Sequence, residues 1–335
     1  MTIRQQQAQQ FLAKTGWQAA RRHPVVGDAS RRSYQRLQRD NGETAILMDA
    51  PPDSGEDVTP FIAIAEYLLA QGFSAPRILA ADREQGFLLL EDLGDALFAR
   101  LMAEQPERQT ELYRCAIDVL QALDQCPLPE LPHCDADWLT GMTAPVFDFY
   151  AREAEASKDA FREVFHPLAQ RLDDTDKILI LRDYHAENLL LQHGREGAAK
   201  VGLLDFQDAL IGHPAYDLVS ILQDARRDVP AALETEMIAY FLEGSRRDYD
   251  GFHAAYALLG AQRNLRILGI FARLCQQDGK PQYIDLIPRV WTYLQRNLTH
   301  PALANLAAFL APLLPEPTGP YLEQLKNQCA TIRKP

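Results

Sequence analysis

A short β segment lies in the middle of an otherwise helical stretch of this chain, and it restricts the possible folds more than any other feature. Apolar runs at residues 178–181, 189–191 and 201–204 predict three short buried strands. The flanking regions, 106–150 and 216–326, show helical periodicity instead. The pattern therefore predicts a mostly helical region with a small β element at its centre.

The first 90 residues instead predict mainly strands, which form an antiparallel sheet with a helix packed on it. A polar helix is expected from Thr2 to about Thr15, and a second helix from Thr59 to Gly72. Strands are expected at residues 24–29, 34–38, 44–48, 77–81 and 86–90. We therefore predict an α+β fold with two lobes. Residues 1–92 form a small antiparallel-sheet N-lobe, and residues 93–335 form a larger, mostly helical C-lobe.

Charge and cysteine content exclude several classes of protein. The 335 residues include 46 acidic and 34 basic side chains, a formal net charge of −12. This argues against nucleic acids and anionic membranes as partners, because both require a cationic face. Five cysteines without a C-x-x-C pair, and no apolar run long enough to span a membrane, predict a reduced, cytoplasmic protein. A monomer is expected.

Three polar residues lie at the ends of the short predicted strands. Asp183 follows the first strand, Asn188 comes five positions later, and Asp205 follows the third strand. Phosphoryl transfer requires a carboxylate to accept the proton of the attacking hydroxyl, and oxygen ligands to hold Mg²⁺ on the phosphates. Asp183 suits the first role, and Asn188 and Asp205 suit the second. Any one of them alone is usually a turn former, so only the set of three predicts this chemistry.

With these residues the sequence resembles the aminoglycoside phosphotransferase and choline kinase branch of the protein-kinase-like fold. The family pattern H-x-D-x-x-x-x-N matches residues 181–188, with leucine in place of the histidine, and [I/L]-D-F-x5-G-x4-D-L matches 204–218. The resemblance covers roughly residues 20–300 and implies an enzyme that uses ATP and Mg²⁺. It also implies that backbone groups of Glu91 and Leu93 bind adenine, with a simple linker at residues 91–94 as the alternative. Asp217 either braces the catalytic loop or caps a helix.

Further stretches resemble a narrower family, the anomeric N-acetylmuramate/N-acetylglucosamine kinases of bacterial cell-wall recycling. They lie at residues 27–36, 47–52, 88–94, 222–226 and 262–264. This resemblance implies transfer of phosphate to the C1 hydroxyl of an amino sugar. Polar side chains bind sugar hydroxyls and aromatic rings bind sugar faces. The candidates are His185, Asp224, Arg226, Arg263, Trp138, Phe147 and Tyr150. For His185, bracing of the neighbouring backbone is an alternative role.

No lysine occurs from residue 15 to residue 157, although kinases of this fold normally bind the phosphates with a lysine on the third strand. Arginine binds phosphate oxygens bidentately and is a chemically reasonable replacement. Ser30 and the neighbouring arginines are therefore the expected phosphate contacts. Arg32 and Arg36 are preferred over Arg31, because the narrower family pattern retains them.

Two alternative functions stay open at this point. The acceptor could be another small hydroxyl compound, such as an aminoglycoside, but the mixed charges of residues 224–228 favour a neutral or anionic sugar over a polycation. The absent lysine would also suit a pseudokinase that binds nucleotide without turnover. The presence of Asp183, Asn188 and Asp205 argues against that alternative.

Overall fold

The computed structural model describes residues 2–25 and 32–332 of the chain. Its helices are α1 (Ile3–Lys14), α2 (Thr59–Ala70), α3 (Phe98–Glu104), α4 (Gln109–Leu123), α5 (Ala136–Gly141), α6 (Lys158–Gln170), α7 (Ala215–Leu222), α8 (Ala231–Leu242), α9 (Tyr249–Asp278), α10 (Ile287–Leu298), α11 (Ala304–Leu310) and α12 (Gly319–Asn327). Its strands are β1 (Arg21–Val25), β2 (Ser33–Gln38), β3 (Thr44–Asp49), β4 (Ile78–Asp82), β5 (Phe87–Glu91), β6 (Ile178–Ile180), β7 (Leu189–Leu191), β8 (Val201–Leu203) and β9 (Leu210–Gly212).

The chain divides into two compact units that interrupt each other along the sequence. Unit 1 comprises Met1–Ala122 and Ala186–Ala209, and unit 2 comprises Leu123–His185 and Leu210–Pro335. The predicted lobes, by contrast, are each continuous in sequence. The lobe boundary after residue 92 stays a prediction.

Unit 1 contains an antiparallel sheet with the strand order β1-β2-β3-β5-β4. The side chains of the central strands β3 and β5 alternate between the two faces of the sheet. Leu47 pairs with Leu89 on one face, and Met48 pairs with Leu88 on the other. All four side chains are buried, which means that both faces of the sheet centre are covered. The expected polar helix α1 buries Phe11 and Leu12 in the same cluster as Leu47 and Leu89.

Four of the five strands expected in this region are confirmed to within one residue. The first was expected at residues 24–29 but lies at Arg21–Val25, and most of the expected range falls outside the described residues. Because β1 is an edge strand with four of its five residues exposed, it lacks the apolar alternation by which strands are recognised. Pro24 fits an edge strand, where its missing N–H costs no ladder bond.

Unit 2 is built around α9, a 30-residue helix whose buried residues extend along most of its length. Helices α7 and α10 pack against it, as does a π-helical turn at Val146–Tyr150. The small ladder of β6 and β9 is antiparallel, with Ile178 opposite Gly212. Strand β9 was not expected, because a run of three residues that ends in glycine is too short to show a strand pattern. In the described part of the chain, no helix combines the length and the apolar surface that crossing a membrane requires.

The first prediction concerns Gly269, where α9 passes closest to the π-helical turn. A Cβ atom at Gly269 would lie 2.1 Å from the carbonyl carbon of Pro145 and 2.3 Å from the nitrogen of Val146. Because backbone atoms cannot move aside as a side chain can, Gly269→Ala should lower the free energy of unfolding by about 1–3 kcal/mol. Urea denaturation would measure it.

Gly141→Ala is a matched control, since Gly141 is also helical and a Cβ there would meet nothing within 4 Å. This variant should be as stable as the wild type or slightly more stable. Equal urea midpoints for the two variants would contradict the close packing assigned to Gly269.

Candidate active site

The loop that follows β6 is held by a buried carboxylate. Asp217 is fully buried in α7, and its two oxygens accept the backbone N–H groups of Leu181 and Arg182, the latter at 2.9 Å. Arg182 has a φ angle of 69°, in the left-handed region that is unusual for a side chain other than glycine. Asp217 lies inside the helix, so it braces this loop and does not cap α7.

The same brace explains how the loop tolerates Leu181, which stands where the family pattern has histidine. Asp217 bonds the backbone of residue 181, so this contact does not depend on the side chain there. The carbonyl of Arg182 accepts two further bonds, from Ser220 Oγ and from Arg263 Nη1, each at 3.2 Å. Burial raises the pKa of Asp217 to about 7, although its two backbone hydrogen bonds act in the opposite direction.

Asp183 lies in this loop among positive charges. Burial, the strongest influence, opposes ionisation of the carboxyl, but the cations Arg263 and Arg266 act against it together with His185 and Arg182. The net result is that the pKa of Asp183 is lowered from its usual value. The carboxylate is therefore ionised at neutral pH, as a group that accepts a proton must be.

The polar residues expected to bind the acceptor lie in unit 2, with His185 and Arg263 near Asp183, and Asp224 and Arg226 near His185. His185 is 7% exposed, and burial lowers its pKa to about 4, with Asp224 opposing and Arg226 reinforcing the shift. The imidazole is therefore neutral at neutral pH. The carboxylate of Asp224 accepts the backbone N–H of Arg226 at 2.9 Å and Nε of Arg227 at 3.1 Å. The described contacts thus bring His185, Asp224, Arg226 and Arg263 into one region.

A buried polar network behind Asp224 was not recognised in the sequence. Gln223 donates to Glu234 at 2.9 Å and accepts from Asn264 and Asn297, both at 2.8 Å. Tyr256 donates to the same Glu234 oxygen at 2.7 Å. The sequence has these polar residues on otherwise apolar helix faces, but only the structure shows that they contact one another.

The three aromatic candidates separate into two groups. The ring centroid of Trp138 lies 5.2 Å from Cζ of Arg182, which belongs to the loop that follows β6. Phe147 and Tyr150 are each only 1% exposed. Phe147 packs against Phe161, and the Tyr150 hydroxyl donates to the carbonyl of Pro315 at 2.6 Å. Phe147 and Tyr150 are therefore core residues, and their expected role as sugar-stacking rings is wrong because helical spacing does not separate core from site.

The predicted metal ligands belong to unit 1, where a two-stranded ribbon brings them together. Strands β7 and β8 are antiparallel, and beyond their last pair the N–H of Leu204 donates to the carbonyl of Asn188 at 3.0 Å. Asn188 and Asp205 therefore lie at the same end of the ribbon. Gln207 Nε2 donates to Asp205 Oδ1 at 2.9 Å and fixes that carboxylate.

This pair of oxygen ligands fits Mg²⁺ better than a metal with an all-protein cage. Within residues 2–25 and 32–332, no cluster of three or more histidine, cysteine, aspartate or glutamate side chains could hold a metal. Mg²⁺ characteristically takes one or two protein oxygens and leaves its other positions to water and substrate phosphates. The donor set of Asn188 and Asp205 matches this coordination preference.

The two preferred arginines have different surroundings in unit 1. Arg32 Nε donates to Glu56 Oε2 at 2.6 Å. Arg36 instead donates to Asp95 at 2.7 Å and to Asp92 at 2.9 Å. Ser30, the third expected phosphate contact, lies outside the described residues.

The segment expected to bind adenine, residues 91–95, is held by side chains that the sequence did not single out. Glu91 accepts from Arg77 at 3.0 Å and from Arg195 at 3.3 Å. The carbonyl of Leu93 accepts from Gln192 Nε2 at 2.9 Å. Gln192 and Arg195 are about 100 positions away in sequence, and no local pattern links them to this segment.

The second prediction concerns Asp217→Asn. A carboxamide can accept only one of the two N–H bonds and turns its own NH₂ toward the other, which should cost about 1–3 kcal/mol of stability. The pKa of Asp217 is about 7 in the folded protein against 3.8 normally, so its stabilising contribution is complete below about pH 4 and is lost as the pH rises through about 7. Denaturation at pH 5 and pH 8 should therefore show a larger gap to the wild type at pH 5. A gap that widens toward pH 8 would contradict this.

Comparison with known proteins agrees with the site. The model of the phosphotransferase enzyme family matches residues 22–255. The N-acetylmuramate/N-acetylglucosamine kinase of Caulobacter vibrioides is 38% identical over 92% of this chain and 96% of its own. The enzyme of the same name from Pseudomonas putida is 33% identical over 85% of this chain and 86% of its own.

The fold has counterparts among solved structures. A choline/ethanolamine kinase family protein from Mesorhizobium loti superposes with a TM-score of 0.61 at 11% identity, covering 97% of this chain and 100% of that one. The predicted α+β, protein-kinase-like fold is thereby confirmed. Since the family match covers more than half of the sequence and the relatives exceed 30% identity, the chain belongs to the phosphotransferase enzyme family.

Proposed function

We propose that this phosphotransferase is an ATP- and Mg²⁺-dependent sugar kinase that phosphorylates the anomeric C1 hydroxyl of N-acetylmuramate, N-acetylglucosamine or both, in peptidoglycan recycling. The observation that carries the proposal is the grouping of an ionised Asp183 with His185, Asp224, Arg226 and Arg263 in unit 2. The names of the two relatives support the choice of acceptor.

Asp183 is the proposed proton acceptor for the sugar hydroxyl. Its neighbouring arginines make it a weak base, since they lower its pKa. A weak base suffices, because the transition state of phosphoryl transfer is loose and the proton leaves late. An anomeric hydroxyl is also the most acidic hydroxyl of a free sugar, because the ring oxygen withdraws electrons from C1. The weak base and the anomeric acceptor therefore match.

Asn188 and Asp205 are the proposed ligands of Mg²⁺. When bound, the ion supplies positive charge to the phosphate oxygens and keeps them in position. Gln207 holds one oxygen of Asp205 and so orients the carboxylate for this task. For the nucleotide, we propose that the backbone of Glu91 and Leu93 binds adenine and that an arginine of the predicted N-lobe binds the phosphates.

The acceptor region favours a sugar that is neutral or anionic. Around Asp183 the cations Arg182, Arg263 and Arg266 outnumber the carboxylates, and Arg226 adds another positive charge near His185. A polycationic aminoglycoside would be repelled by such a region. The lactyl carboxylate of N-acetylmuramate would be attracted, while a neutral His185 can exchange hydrogen bonds with sugar hydroxyls.

The state of the cysteines bears on the cellular setting. All five cysteines lie within the described residues and none of them forms a disulfide, which supports a reducing compartment. We infer a cytoplasmic protein on this ground, and we retain the expectation of a monomer.

The third prediction concerns the catalytic carboxylates. Asp183→Asn and Asp205→Asn should each lower kcat by at least about 100-fold, because one removes the proton acceptor and the other a charged metal ligand. ADP release under saturating Mg-ATP and sugar would measure this. Asp208→Asn is a matched control, since Asp208 lies near Asp205 in sequence but is exposed. Turnover near the wild-type rate in the Asp183 variant would refute its role.

The fourth prediction concerns the acceptor atom. Incubation with Mg-ATP and N-acetylmuramate or N-acetylglucosamine should give a sugar 1-phosphate, identified by phosphorus-coupled NMR. The methyl glycoside of N-acetylglucosamine keeps the C3, C4 and C6 hydroxyls but lacks the anomeric one, so it should not be phosphorylated. Phosphate on the methyl glycoside would reject the anomeric assignment.

A further inference from the structure

We propose that Glu56 positions Arg32 on the nucleotide phosphates, so that this pair replaces the lysine–glutamate pair of protein kinases, while Arg36 supports the adenine-binding segment. This inference rests on the proposed function, since it assumes that unit 1 binds ATP. The two arginines, which the sequence does not distinguish, then have different roles. Glu56, which belongs to no recognised sequence motif, has a positioning role.

The contact between Arg32 and Glu56 is short and shielded. Arg32 Nε lies 2.6 Å from Glu56 Oε2, and the two side chains are only 11% and 17% exposed. Charge-assisted bonds of this length are strong and directional. Because Glu56 binds the Nε edge of the guanidinium, it fixes the plane of the group. Phosphate oxygens would then be met through the Nη groups of Arg32, which also has Tyr34 as a hydrogen-bond partner.

The position of the pair is consistent with a phosphate site. Arg32 interacts electrostatically with Asp205, the residue assigned to the metal, and with Tyr34. Burial raises the pKa of Tyr34 to about 12, so its hydroxyl is neutral and adds no negative charge there. A cation within electrostatic reach of the metal ligand is where nucleotide phosphates require one.

The third strand itself offers no cation for this task. Its residues run from Thr44 to Asp49, and Leu47 and Met48 are buried in the sheet. Asp49 at its end is held by Arg4 of α1, whose Nε lies 2.8 Å away. Arg4 is thereby bound to a carboxylate on β3.

Arg36 is bound on two sides by the segment that follows β5. Its Nη1 contacts both oxygens of Asp95, at 2.7 and 2.8 Å, and its Nη2 contacts Asp92 at 2.9 Å. Nη2 also lies 3.2 Å from the carbonyl of Gly94. Two carboxylates compensate the charge of Arg36, and a phosphate would have to displace them. Arg36 therefore ties β2 to residues 92–95, the part of unit 1 assigned to adenine.

The fifth prediction compares two ligands, Mg-ATP and adenosine, whose dissociation constants are measured calorimetrically with the full-length protein. Arg32→Ala should weaken ATP binding by about 10- to 100-fold, because it removes a charged bond to phosphate. Adenosine binding should be unchanged. Glu56→Ala should have the same selectivity with a smaller loss, and Glu56→Gln should recover part of it, since the amide oxygen still accepts from Nε. Adding Glu56→Ala to Arg32→Ala should cause no further loss.

Arg36→Ala should behave differently and weaken ATP and adenosine by the same factor. Glu43→Gln is the matched control, because Glu43 pairs with Arg39 at 2.6 Å on the exposed end of the β2–β3 hairpin. It should bind both ligands as the wild type does.

Three results would overturn the inference and are distinguishable from failure of the proposed function. Unchanged ATP binding in Arg32→Ala and Glu56→Ala would remove the phosphate role, and equal losses of ATP and adenosine in these variants would make the pair merely structural. A selective loss of ATP binding in Arg36→Ala would reverse the division between the arginines. If the wild-type protein itself bound no Mg-ATP, the proposed function would fail instead.

Discussion

The hydrogen bonds from the backbone of Leu181 and Arg182 to Asp217 are the interaction on which the proposed catalytic loop depends. They hold Arg182 in a left-handed conformation that few residues adopt, with φ at 69°. The Arg182 carbonyl then meets Ser220 and Arg263, and Asp183 follows among the arginines. A fully buried acid at position 217 therefore fixes the loop that places the proposed base among these arginines.

The net charge of −12 does not describe the local charge around the candidate residues of either unit. In unit 2, arginines surround Asp183 and keep it ionised despite burial. In unit 1, Arg32 supplies a cation that interacts with Asp205. Most acidic residues are on the surface, where water screens them, whereas the arginines act in buried places where charges interact more strongly. An acidic protein can therefore present cationic regions to a nucleotide.

What the sequence predicted depended on local spacing. Asp183, Asn188 and Asp205 could be selected because each lies next to a short apolar strand, and strands β2 to β5 lie within one residue of the expected ranges. Strand β1 lacked such a pattern because it is an exposed edge strand. The partners Glu56, Gln192 and Glu234 could not be predicted, since each meets its contact through tertiary folding. For the same reason, Phe147 and Tyr150 looked like ligand-binding rings although they are core residues.

The proposed replacement of a strand lysine by Arg32 has a structural consequence. A lysine within a sheet strand is positioned by the ladder on both sides and delivers a compact charge. Arg32 precedes β2 by one residue and lies outside its ladder, and its planar group must also be oriented. In this proposal Glu56, which lies in the segment just before α2, provides that orientation by binding Nε. In this proposal Glu56 does for Arg32 what the glutamate of the kinase pair does for the strand lysine, and it also fixes the plane of the guanidinium.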